Sequence, residues 1–166
     1  MAMIALTTLS FAAGAAGEDR LGALREQFQA DRDPVHQAKN FPKLGDALFE
    51  ELRKEADAGE LAAAEAVLTE YRDDLRRIVA ALKATGRNAE KQSGGFRELQ
   101  IYLRKALLRL DQIILVVPFD RREPFEAQRR DVAAMDTELF HLLFPRQPAA
   151  GDQRLNGEKK PAGVRP

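Results

Sequence analysis

The chain has 166 residues, no cysteine, and 26 basic against 26 acidic side chains, so its formal net charge is zero. That length supports one domain with a core of its own. The lack of cysteine excludes disulfides, thiolate metal sites, cysteine nucleophiles and covalent haem attachment, and the neutral balance gives no global reason to expect nucleic acid as a partner.

Residues 1–17, MAMIALTTLSFAAGAAG, carry no charge. The apolar run 3–13 has the length of a signal-peptide h-region, and Ala13-Gly14-Ala15 and the two triplets overlapping it fit the small-x-small cleavage rule. The run is too short for a bilayer, which takes about 20 apolar residues. No Lys or Arg precedes it. The expectation is a signal peptide over 1–17 and an exported mature chain, periplasmic or extracellular, with no transmembrane segment. If these residues are not a signal, the protein is cytoplasmic.

Residues 18–30 carry Leu21, Leu24 and Phe28 at helical spacing, which predicts a short first helix. Asp33 before Pro34 is an N-cap followed by proline in the first turn. Val35, Ala38 and Phe41 begin the next apolar face, and Leu44, Leu48, Phe49, Leu52 and Ala56 continue it. Pro42 lacks an N–H and disfavours helix at Phe41, so a kink or two short helices is expected there. Gly59 is the expected stop. Leu61, Leu68, Tyr71, Leu75, Ile78 and Leu82 predict a long helix over 60–85, closed by Gly86. The polar loop 87–95 contains Ser93, a candidate cap.

Residues 96–117 have the strongest pattern. Phe96, Leu99, Leu103, Ala106, Leu110, Ile113 and Val117 are spaced alternately three and four apart, one stripe on one helix. A second set, Ile101, Leu107, Leu108, Ile114 and Leu115, points elsewhere. A helix apolar on most sides predicts neighbours on several faces, so this one is expected at the centre of a bundle. Pro118 ends it. Asp120 to Glu123 resembles a capping box, and Phe125, Val132, Met135, Leu139 and Leu142 mark a last helix over 121–144. From 146 to 166 glycine, proline and charge dominate, which predicts a disordered tail. With no strand-like alternation, the fold class is all-α: an antiparallel helical bundle of three long helices plus a helical N-terminal segment, one domain over 18–145.

Charge is unevenly distributed. Residues 18–70 hold 7 basic and 13 acidic side chains, 71–130 hold 14 and 8, and 131–144 hold 3 acidic and no Lys or Arg. Oppositely charged helices lying side by side would account for this. A sharper alternative is a basic ridge of Arg76, Arg77, Arg104, Lys105, Arg121, Arg122, Arg129 and Arg130, suited to an envelope polymer, a lipid headgroup or nucleic acid. Nucleic acid is disfavoured because Asp73, Asp74, Glu98, Asp111 and Glu126 interleave the ridge.

Catalytic constellations are missing. Glu138 with His141 and Asp33 with His36 have the spacing of di-metal ligand pairs in bundles, but Asp33 sits where a cap is needed and the core stripes contain no Glu. Met135 reads as packing rather than as a haem ligand. Ser93 is the only serine after the signal region, leaving no nucleophile beside a base. A carboxylate/His metal protein or hydrolase is the enzyme alternative; no cofactor and no catalytic residue is assigned.

The segments D-P-V-H-Q-A-K (33–39), K-L-G (43–45), D-A-G-E-L-A-A-A-E (57–65) and L-T-E-Y-R-D-D-L (68–75) resemble a group of exported bacterial α-helical domains of unknown function. The resemblance spans about Asp33 to Leu82 and implies a helical envelope protein with no reaction. The same A-G-E-L-A-A-A-E is similar to the turn of a tetratricopeptide repeat, but no second copy follows at that period. The function expected is a non-enzymatic structural or protein-interaction role in the envelope. The first surfaces to consider are the basic ridge and Phe140, Leu143 and Phe144, which exceed what one stripe needs. The heptad-like stripes suit packing within or between chains, so an oligomer is open.

Overall fold

The computed structural model describes residues 13–145, with side chains from residue 19 onward. The expected tail lies outside these residues, as does most of the expected signal. Five α-helices follow in order: α1 Ala13–Ala30, α2 Pro34–Asp57, α3 Leu61–Ala84, α4 Phe96–Val116 and α5 Glu123–Leu143. A single 3-10 turn, Phe119–Arg121, joins the last two. Among the described residues there is no strand, and no helix is long and apolar enough to cross a membrane. The protein is an all-α helical bundle in which successive helices run antiparallel.

Local chemistry sets the helix ends. The Val35 N–H donates to Asp33 Oδ1 at 2.9 Å, and Pro34 occupies the first turn of α2. Ser93 is not the cap of α4. Gly95 is, with φ +83°, and its N–H donates to Glu98 Oε2 at 2.8 Å, which is half of a capping box. A side chain at Gly95 would lie 3.2 Å from both the Val35 Cα and Leu82 Cδ2, so the chain turns where α2 and α3 leave no room.

Pro42 does not break α2. The helix is continuous over 24 residues, making it a fourth long helix rather than part of a short N-terminal segment. Phe41, Leu44 and Leu48, at most 2% exposed, anchor it on both sides of the proline. Burial of this kind outweighs the lost hydrogen bond. The last helix begins at Glu123 rather than 121, because Arg121 belongs to the 3-10 turn.

The four long helices form two hairpins, α2–α3 and α4–α5, stacked on each other. α2 packs on α3 and α4, while α5 packs on α3 and α4. Pairing along the seams fixes direction. Phe41 meets Tyr102 and Asp46 meets Arg109, so α2 and α4 are parallel. Arg76 meets Asp131 and Lys83 meets Glu138, so α3 and α5 are parallel. Asp111 meets Arg129 and Gln100 meets Asp136, so α4 and α5 are antiparallel. α1 packs on α2, with Phe28 against Phe41 and Arg25 on Glu70 of α3. α4 is therefore one corner of a ring, not its centre.

The stripe read from the sequence is the core of α4: Phe96, Leu99, Leu103, Ala106, Leu110 and Ile113 are all buried, as is Val117 beyond its end. An aromatic cluster of Phe28, Phe41, Phe49, Tyr71 and Tyr102 fills the junction of α1, α2, α3 and α4. The charge pattern is explained by α5. Its acidic half, 131–144, lies between the basic faces of α3 and α4, placing Asp131 on Arg72 and Arg76, Glu138 on Lys83, and Asp136 on Arg104. Exposed pairs contribute about 0–1 kcal/mol each, so they select neighbours more than they add stability.

Asp74 is the exception among the charges. It is buried and accepts from Arg77. Burial raises its pKa above the ordinary 3.8, opposed by the Arg77 charge. The folded state then holds the proton to higher pH than the unfolded chain. Asp74 is destabilising above that window, and the cost grows as pH rises from about 4 through the raised folded pKa. The variant D74N should lack this slope. Urea unfolding at a series of pH values should show D74N gaining on the wild type across the acidic range and holding the gain at neutral pH. A pH-independent difference would refute the account.

Candidate functional site

The second apolar set on α4 behaves differently from the first. Ile114 is buried and Leu107 half-buried, but Ile101, Leu108 and Leu115 are 45%, 66% and 70% exposed. They are seven residues apart, hence on one line along the outer face. Val116 and Phe119, 58% and 86% exposed, extend it at its C-terminal end. Phe144 is the one other large apolar side chain this exposed among the described residues. The expectation of neighbours on several faces fails here because the ring gives α4 two main neighbours, α2 and α5. The seven-residue spacing was visible in the sequence; that nothing in the fold covers it was not.

Two grooves flank this line on the α2 side. The first, about 450 Å³, is walled by Pro42, Asp46, Ile101, Tyr102, Lys105 and Arg109. The second, about 370 Å³, is walled by Arg53, Asp57, Gln112, Ile113, Leu115 and Val116. Arg109 divides them, lying 4.4 Å over the Phe49 ring and bonded to Asp46. On the α5 side the rim is Arg104 near Asp136, and Asp111 holding Arg129 at 2.5 and 3.0 Å. The result is an apolar strip with a polar rim.

The basic ridge is largely occupied by its own acids. Arg76 bonds Asp131, Arg77 bonds Asp74, Arg129 bonds Asp111, and Arg130 bonds Glu123 at 2.8 Å. Arg104 approaches Asp136, and Arg122 donates to the Val117 and Leu115 carbonyls, closing the end of α4. No ion pair holds Lys105 or Arg121 among the described residues. Phe140, Leu143 and Phe144 do not form one patch. Leu143 is buried, Phe140 is half-buried under the Arg104 guanidinium at 5.4 Å, and Phe144 alone is exposed.

The histidines part from their sequence partners. Asp33 caps α2, and His36 instead lies with Nδ1 2.5 Å from Asp31 Oδ2. That pair borders a 280 Å³ recess between α1 and α2, with Asn40 and Lys43 but no hydroxyl nucleophile. Glu138 is held by Lys83, and His141 meets the Phe140 ring edge-on at 6.1 Å. Among the described residues no three His, Asp or Glu side chains converge as a metal site. Met135 packs in the core. The Tyr71 and Tyr102 hydroxyls face each other in the interior, neither at hydrogen-bonding geometry. Burial pushes both phenols well above their ordinary pKa of 10, so they stay neutral.

Fold and surface together define, among the described residues, a two-hairpin helical bundle with an uncovered apolar face on α4. No family profile, curated protein or solved structure matches this chain.

Proposed function

We propose that this protein is a non-enzymatic interaction module that acts after export and docks a helix along the outer face of α4. The observation that carries the reading is the line Ile101, Leu108 and Leu115, continued by Val116 and Phe119. Water-exposed apolar strips of this length are costly in solubility and mark binding surfaces. A partner helix would set its own i, i+3, i+4, i+7 anchors against them. Export rests on the uncharged apolar segment 3–13 and the small residues after it.

One experiment tests both parts. A photo-activatable side chain at position 108, in producing cells, should yield a discrete adduct in the envelope or secreted fraction. The same group at Thr137, exposed on α5, should give none. An adduct confined to the cytoplasm overturns export; no adduct at 108 overturns the docking face.

A further inference from the structure

We infer that the occupant of the α4 face is a second copy of this chain, packed antiparallel about a two-fold axis at Leu108. The inference rests on reading α4 as a docking face and adds the identity of the partner. Its basis is that the face is complementary to itself when reversed.

A two-fold of this kind brings together positions within one residue of equal distance from Leu108 on the same flank of each helix. Leu108 then meets Leu108, and Ile101 meets Leu115 of the second copy. The α5 flank carries Arg104, near Asp136, and Asp111, bonded to Arg129. Reversal sets Arg104 against Asp111 of the second copy, joining two existing ion pairs into one alternating row. The α2 flank carries Lys105 beside the first groove and Gln112 beside the second. Reversal sets Lys105 against Gln112, a donor against an amide oxygen. The three positions of the central line thus each face an apolar one, and the four flanking polar positions each face a group they can pair.

The parallel alternative fails on charge. It would bring the α5 flank of one copy to the α2 flank of the other, placing Arg104 beside Lys105 twice over. Like charges at such flanking positions set helix orientation in coiled pairs. α1 packs on α2, whereas α4, its parallel neighbour, has no such cover. A two-fold at α4 buries the open end of each hairpin stack against the other.

The absence of cysteine makes the test direct, because each introduced thiol is the only one in the chain. The purified chain should sediment at twice its own mass, and L108D, which sets two carboxylates on the axis, should sediment as a monomer with unchanged helical circular dichroism. I101C alone and L115C alone should not form disulfide dimers, since each residue lies about 20 Å from its own mate at 1.5 Å rise per residue. An equimolar mixture of I101C and L115C should cross-link. A dimer that cross-links in I101C alone is parallel and overturns the proposed geometry. A monomer at all concentrations, with no cross-link in the mixture, overturns the second copy. The photo-adduct at position 108 separates that failure from failure of the docking face: an adduct of any mass other than twice the chain keeps the face and assigns it to a different protein.

Discussion

Truncating Phe41 to alanine is expected to cost about 3–5 kcal/mol, the usual range for a fully buried phenylalanine. The ring is fully buried where four helices meet. It lies 5.8 Å from Phe28, 5.5 Å from Tyr71 and 5.8 Å from Tyr102. Its loss opens a cavity that α2 cannot close by moving, because Leu44 and Leu48 hold the next turns. Domains of this size are stable by about 5–15 kcal/mol, so F41A should fall far in urea midpoint and melt roughly 10 °C or more below the wild type. F41L keeps much of the apolar volume and should lose distinctly less. A loss under about 1 kcal/mol for F41A, outside the range expected for such a site, would mean that the aromatic cluster is not packed as described.

Gly45 gives the second large effect, and its sign is a contest between two terms. Alanine is favoured over glycine in a helix interior by about 1 kcal/mol. Here the added Cβ would overlap the Tyr102 hydroxyl, with Tyr102 Cζ at 3.0 Å and Phe41 Cε1 at 3.2 Å. Overpacking of a rigid core costs about 1–3 kcal/mol, and a tyrosine ring held against Phe41 and α2 has little freedom to retreat. G45A should therefore be destabilised despite its better propensity. Y102F removes the nearest atom, and its hydroxyl gives up no well-formed hydrogen bond, so Y102F alone should be close to neutral. The double variant G45A/Y102F should regain most of the loss, with a coupling of about 0.5–3 kcal/mol in the mutant cycle. G45A more stable than the wild type, or a cycle without coupling, would show that Tyr102 does not sit over Gly45.

Both effects depend on neighbours that were not legible in the sequence. Phe41 stood on the apolar face of α2 by spacing. Its meeting with Phe28, Tyr71 and Tyr102, from three other helices, is a long-range fact without local signature. Gly45 was merely one glycine within a resemblance; only the position of Tyr102 gives it a role. Pro42 shows the same limit from the other side, since a local rule predicted a kink or two short helices and buried neighbours kept one continuous helix. The candidate site was half legible. Ile101, Leu108 and Leu115 were recognised as apolar and off the main stripe. Whether such a set is covered depends on how many neighbours the helix has, and the basic ridge likewise depended on which acids α5 brought to it.

The sequence by itself determined the all-α class, the core stripe of α4, the Asp33 cap and the stops at Gly59 and Gly86, and the absence of any disulfide or thiolate chemistry. These follow from periodicity, backbone freedom and composition, which act within a few residues. Only the tertiary structure decided that α2 runs through Pro42, that α2 lies beside α4 and α3 beside α5, that the arginine ridge is paired, and that the second apolar line of α4 faces water. Those outcomes depend on which helices become neighbours, and that choice is made by burial and charge summed over the whole chain.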